Sequence, residues 1–159
     1  MKDNFKQERV NLAAAFRWAA RLNMHEAVAN HFSLAVSDDG SKFLLNPIGM
    51  HFSQICASDL LVIDSKNAET MSQPNAPDAT AWAIHGAMHR NNLHARCILH
   101  VHPKYATILA CLEDKVMKPI DQNTMRFYEK VSIDYDYDGM GVGDEAERLC
   151  TILGDNSVL

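Results

Sequence analysis

The sequence predicts a layered α/β domain, and three observations carry that reading. Segments with helical periodicity alternate with short apolar runs of strand length. Turn residues punctuate the chain between them, as in Asp38-Asp39-Gly40 and Asn46-Pro47-Ile48-Gly49. The composition, 47% hydrophobic and 22% charged over 159 residues, is that of one domain able to bury a core.

The first element, Phe5 to Leu22, is a helix. Leu12, Ala15, Phe16 and Ala19 recur at i, i+3, i+4 and i+7, with Arg9, Arg17 and Arg21 on other faces. His31 to Val36 and Phe43 to Leu45 read as strands joined by the Asp-Gly turn, a hairpin signal. Leu60 to Asp64 is a further strand candidate. Met71 to Asp78 is polar, holds Pro74 and Pro77, and reads as a loop. Asp78 or Thr80 caps a helix from about Ala79 to Asn91, whose apolar face carries Ala81, Ile84 and Met88. Cys97-Ile98-Leu99 begins a buried strand, followed by a helix from Tyr105 to Leu112. Ser132 to Tyr137 is expected as a strand and Asp144 to Leu153 as a helix ended by Gly154. Asp155 to Leu159 then turns into what reads as another strand, so the domain is expected to be C-terminally incomplete.

A net charge of −5 with no basic cluster argues against nucleic-acid binding. No run approaches the ~18 apolar residues of a membrane span. The N-terminus leads into a polar helix rather than an apolar signal segment. Cys56, Cys97, Cys111 and Cys150 are scattered without CxxC spacing, and Cys97 and Cys111 sit in apolar runs like core residues. A reduced, cytoplasmic setting is the expectation.

Six of the eight histidines fall between His51 and His102. In His100-Val101-His102 the period-2 geometry of a strand puts both imidazoles on the face of Ile98. Two imidazoles side by side form half of a divalent metal site; the alternative is a pair of half-buried histidines bonded to backbone. His85 and His89 lie at i and i+4 on one helical face, a spacing that is either structural or chelating. No Glu adjoins His85, so this is no zinc-protease motif, but His85 could point toward the HxH strand as a further ligand or base. Asp134, Asp136 and Asp138 alternate with tyrosines and lack the spacing of a calcium loop.

In order and spacing, four stretches resemble the class II aldolase/adducin family. They are Asn30-His31-Phe32-Ser33, Leu44 to Gly49, Ala57 to Asp64, and Ile98 to His102. Arg126-Phe127-Tyr128 through Gly139 resembles its adducin-like branch. The resemblance implies a three-layer α/β/α sandwich around a largely antiparallel central sheet, assembled as a homo-oligomer, in the family a tetramer. It implies His100 and His102 as ligands of a divalent metal, most often Zn2+. The family's third histidine lies in an Asn-His-Gly segment that this sequence does not reach. The family's acid/base Glu falls here at Ala81, which cannot exchange a proton. The phosphate-holding Gly-Asn pair is replaced by Asn30-His31, so an unphosphorylated substrate is expected. The implied activity is a lyase or epimerase acting on a small hydroxylated carbonyl compound, with Tyr128, His85 or Asp78 as proton shuttle. The competing class is a non-catalytic adducin-like assembly or protein-binding domain.

Overall fold

The computed structural model describes residues 4–73, 75–136 and 139–159. Helix α1, Lys6–Arg21, buries the predicted stripe of Leu12, Phe16 and Ala19. Phe16 stacks on Phe32 and meets Phe52 edge-on, each at a centroid distance of 4.7 Å. The arginines off this stripe hold the helix to a neighbouring loop. Arg9 Nη1 donates to the Leu60 carbonyl at 2.6 Å, and Arg17 Nε to that of Ile55 at 3.1 Å.

Strands β1 (His31–Ala35) and β2 (Lys42–Leu45) form the expected antiparallel hairpin, with Ser33 opposite Leu45. Asp39 fastens its turn by accepting from the Ser41 amide at 3.1 Å and from the Ser37 hydroxyl at 2.8 Å. Gly40 has φ +68°, and a β-carbon there would overlap the carbonyl of His89 on the helix above. β3 (Leu61–Asp64) pairs with β2, and β4 (Cys97–His100) pairs with the other side of β1. The sheet order is β3-β2-β1-β4, antiparallel throughout.

Alternation sorts the strand residues between two cores. Phe32 and Leu44 pack with α1, Phe52, Ile55 and Leu60. Phe43, Leu45 and Ile63 pack on the other face with Ala81 of helix α2, Ala79–Asn91. The Asp78 carboxylate caps α2 by accepting from the amides of Thr80 at 2.9 Å and Ala81 at 3.1 Å. Two short helices follow β4: α3 (Lys104–Ala110) and α4 (Gln122–Met125), neither burying a residue. Helix α5, Asp144–Leu153, sets Ala146, Leu149, Cys150 and Leu153 against Ala87 and Met88 of α2. The result is the three-layer α/β/α arrangement the resemblance implies, with α1 on one face and α2 and α5 on the other.

Three readings change. Ser132 to Asp136 is no strand; Val131 makes one parallel bridge, to Val158, and Tyr137 and Asp138 lie outside the described residues, as does Pro74. The Asp134 carboxylate instead accepts both Arg148 donors at 2.8 Å and the Asp136 amide at 3.0 Å, which draws the backbone out of a ladder. β4 is an edge strand rather than a buried one, and Leu99 on it is half-exposed. Cys97 on the same strand is exposed, as is Cys111, which follows a helix with no buried face.

Candidate functional site

Beyond β4 the chain continues extended, so Val101 turns toward the α1 core while His100 and His102 turn to the opposite side. Their Nε2 atoms lie 3.0 Å apart. Each ring is oriented through its other nitrogen. His102 Nδ1 faces Glu26 Oε2 at 2.5 Å, and His100 Nδ1 faces His31 Nε2 at 3.1 Å. A metal-bound histidine characteristically donates its outer N–H to such a partner.

His31 belongs to β1 directly opposite His100 in the sheet register. Its Nδ1 meets His85 Nε2 at 2.7 Å. His85 Nδ1 meets the Ser33 hydroxyl at 2.5 Å, and the same hydroxyl meets His89 Nε2 at 2.8 Å. The His89 Nδ1–H donates to the Ala95 carbonyl at 2.8 Å. Period 2 in β1 points His31 and Ser33 toward α2, and the i, i+4 spacing in α2 points His85 and His89 back toward the sheet. Both helical histidines are buried, so this is the structural alternative for that pair, joined through His31 to the HxH rings.

Burial disfavours the charged form of these imidazoles. It lowers the pKa of His31 to about 3, with His100 adding to the effect and Asp78 opposing it. Burial likewise takes His89 to about 4 despite its bond to Ala95, and His100 to about 4 with His102 beside it. His85 falls well below the ordinary histidine range from burial first and neighbouring imidazoles second. The rings beneath the HxH pair are therefore neutral near pH 7.

Next to His31 lies a cavity of about 40 Å³ lined by Val28, Asn30, His31, Ile48, Asp78 and Ala81, among others. Asn30 is buried; its Oδ1 accepts from the Glu26 amide at 2.5 Å, while its Nδ2 has no partner among the described residues. Burial tends to raise the Asp78 carboxyl, but bonds from Thr80 and Ala81, with His31 nearby, outweigh it and hold it below the usual carboxylate range. Asp78 and His31 thus share one small polar recess. Ala81 lines it as well, a methyl where the resemblance puts a carboxylate. Tyr128 stands in the turn after α4, half-exposed, and its phenol takes part in none of these bonds.

The donor set fits a divalent cation in part. Two imidazole nitrogens bound at 2.0–2.1 Å to one tetrahedral ion lie about 3.4 Å apart, so the observed pair would open by a few tenths of an ångström. Among the described residues no group of three or more His, Cys, Asp or Glu side chains is gathered to hold an ion. The His100 and His102 rings meet on one side as the HxH spacing predicts, whereas Glu26 and the joining positions of His31 and Ser33 are not marked by that spacing. The available signal was the pair of facing polar patterns, His31/Ser33 at period 2 and His85/His89 at i, i+4.

Residues 10–159 match the family model described as Class II Aldolase and Adducin N-terminal domain. A crystal structure of an aldolase II superfamily protein from Pseudomonas syringae superposes with a TM-score of 0.81 at 30% identity, covering 94% of this chain and 60% of that one. A provisionally named aldolase class 2 protein of Pseudomonas aeruginosa is 29% identical over 96% of this chain and 58% of its own length. Adducin-related protein 1 of Caenorhabditis elegans is 26% identical over 96% of this chain and 21% of its own length. The chain thus spans little more than half of the two bacterial relatives.

Proposed function

Because the chain belongs to the class II aldolase and adducin family, we propose that it forms the metal-holding part of a divalent-metal-dependent lyase or epimerase. The substrate is a small, unphosphorylated hydroxylated carbonyl compound. The observation that carries this reading is the convergence of His100 and His102 Nε2 at 3.0 Å, with Glu26 and His31 on the outer nitrogens. An ion held there, in our reading Zn2+, supplies Lewis-acid polarisation of a carbonyl group.

The recess beside His31 is the binding subsite for the substrate's hydroxyl end. Asn30 Nδ2, unpaired among the described residues, offers a donor and Asp78 an acceptor, and among the lining residues none is cationic. A phosphate dianion would meet the Asp78 carboxylate with no Lys or Arg to offset it. In this reading Asp78, which lines the recess, is the proton acceptor. His85 has no exposed surface and has both ring nitrogens engaged, so its role is to position rather than to touch substrate. Tyr128 is the candidate donor for a site on a second copy of the chain, in a cytoplasmic homo-oligomer.

One observation favours the non-catalytic adducin-like alternative: Ala81 leaves the recess without the family's acid/base. The two readings separate in one experiment. Zinc binding is measured by competition with a chromophoric chelator, and turnover is followed on paired phosphorylated and unphosphorylated hydroxy-carbonyl compounds, with His100→Ala and His102→Ala as blanks. Zinc-dependent turnover of an unphosphorylated compound, lost in both blanks, supports the enzyme. Zinc binding without turnover supports the assembly domain, and absence of binding removes the metal centre.

A further inference from the structure

Seven contacts run in series from one side of the site to the other: Glu26–His102, His102–His100, His100–His31, His31–His85, His85–Ser33, Ser33–His89 and His89–Ala95 carbonyl. Both ends, a carboxylate and a backbone carbonyl, only accept. From His102 to the Ala95 carbonyl there are six contacts, and the neutral rings of His31, His85, His89 and His100 with the Ser33 hydroxyl bring one hydrogen each, five in all. One of the six contacts therefore receives no hydrogen from these five groups. Every one of them on the Ala95 side of that gap donates toward Ala95, and every one on the other side donates toward His102.

A gap among His31, His85, Ser33 and His89 would set two lone pairs together in a dry interior, since all four residues are buried. The His100–His102 contact lies at the sheet edge, where the His102 side chain is 37% exposed. Resting on the metal-centre reading above, we propose that Ser33, His85 and His89 are positioning residues that fix the tautomer of His100. Anchored by the Ala95 carbonyl, they hold His85, His31 and His100 as Nδ1–H tautomers. The missing hydrogen then falls between the Nε2 atoms of His100 and His102, where a divalent cation completes the series. The relay ends on a carbonyl, so it carries no proton through the protein; it orients a lone pair.

The test reads ring nitrogens and metal affinity separately, on the 159-residue chain. Long-range 1H–15N NMR without added metal is expected to show Nδ1–H for His31, His85, His89 and His100. Chelator-competition titration with zinc alone is expected to show Ser33→Ala binding weaker than wild type by up to about tenfold, the low end for a direct outer-sphere partner, because Ser33 reaches His100 through His85 and His31. In that variant His31 and His85 should lose their single tautomer. Ser33→Thr, which restores the hydroxyl, should recover both. Nε2–H at His31, His85 or His89 in the unaltered protein overturns the relay without any variant having to fold. Equal zinc affinity of Ser33→Ala and wild type also overturns it. If the wild type binds no zinc, the metal-centre reading and the cation's place in the series fall together, while the tautomer measurement still tests the relay.

Discussion

Replacing Gly40 by alanine tests how the hairpin sits on α2. At φ +68° the new side chain would occupy the left-handed region, which costs about 1–2 kcal/mol for an L-residue. Its β-carbon would also overlap the carbonyl oxygen and carbon of His89 and lie 3.1 Å from the Arg90 nitrogen. These are backbone atoms of a helix and cannot rotate aside, so the turn must lift. Overpacking of this kind costs about 1–3 kcal/mol. Together the substitution should destabilise by about 2–5 kcal/mol, a fall in Tm of roughly 2–4 °C per kcal/mol for a chain this long. Gly49 is the internal control, because its φ is +75° but no atom lies within 4 Å of a β-carbon. Gly49→Ala should cost the backbone strain alone, about 1–2 kcal/mol. Urea titrations of the two variants beside the parent give the difference, which is the energy of the close approach. Equal losses would refute the reasoning. Since His89 also bonds Ser33, the Gly40 variant and not the Gly49 variant should weaken zinc binding.

Glu26→Gln keeps the shape but removes the charge behind His102, and zinc competition should show about tenfold weaker binding; unchanged affinity would mean the carboxylate does not orient the ring. Phe16→Ala removes a ring packed against both Phe32 and Phe52 and should cost about 3–5 kcal/mol in chemical denaturation. Acid should destabilise the metal-free protein before most carboxylates titrate. His31, His89 and His100 are neutral when folded down to about pH 3–4 but charge near pH 6.5 when unfolded, so the unfolded state binds more protons in between. Stability should fall from pH 6.5 toward pH 4 by up to about 1.4 kcal/mol per pH unit for each of them. A urea midpoint that does not move across that window would show that these rings are already protonated in the fold.

The helices were legible where burial imposes a period. The Leu12, Phe16, Ala19 stripe followed from spacing, because α1 faces a core on one side only, and the end of α5 followed from Gly154, its C-cap. α4 was missed; it is one turn held by an Asp121 capping box with no buried residue, so no apolar period marks it. Ser132 to Asp136 was misread because alternation with tyrosines imitates a strand, whereas the Asp134 carboxylate commits to Arg148 and to its own backbone. The meeting of His100 and His102 could be read because two residues apart in a strand is a local relation. His31 could not be placed beneath His100 without knowing that β4 pairs with β1 rather than with β3.

That pairing also sets the order in which the site can come into being. His100 and His102 are two residues apart and can meet in an unfolded chain, but their supporting partners are not local. Glu26 is 76 residues from His102, His31 is 69 from His100, and Ser33 is 52 from His85. Closing loops of that length precedes any of those bonds, so the histidine series belongs to the late, cooperative part of folding. On the metal-centre reading, a cation met early would find only a flexible two-imidazole clamp, equally available to misfolded chains. Such a cation would favour the native state only after hairpin, helix and edge strand have docked.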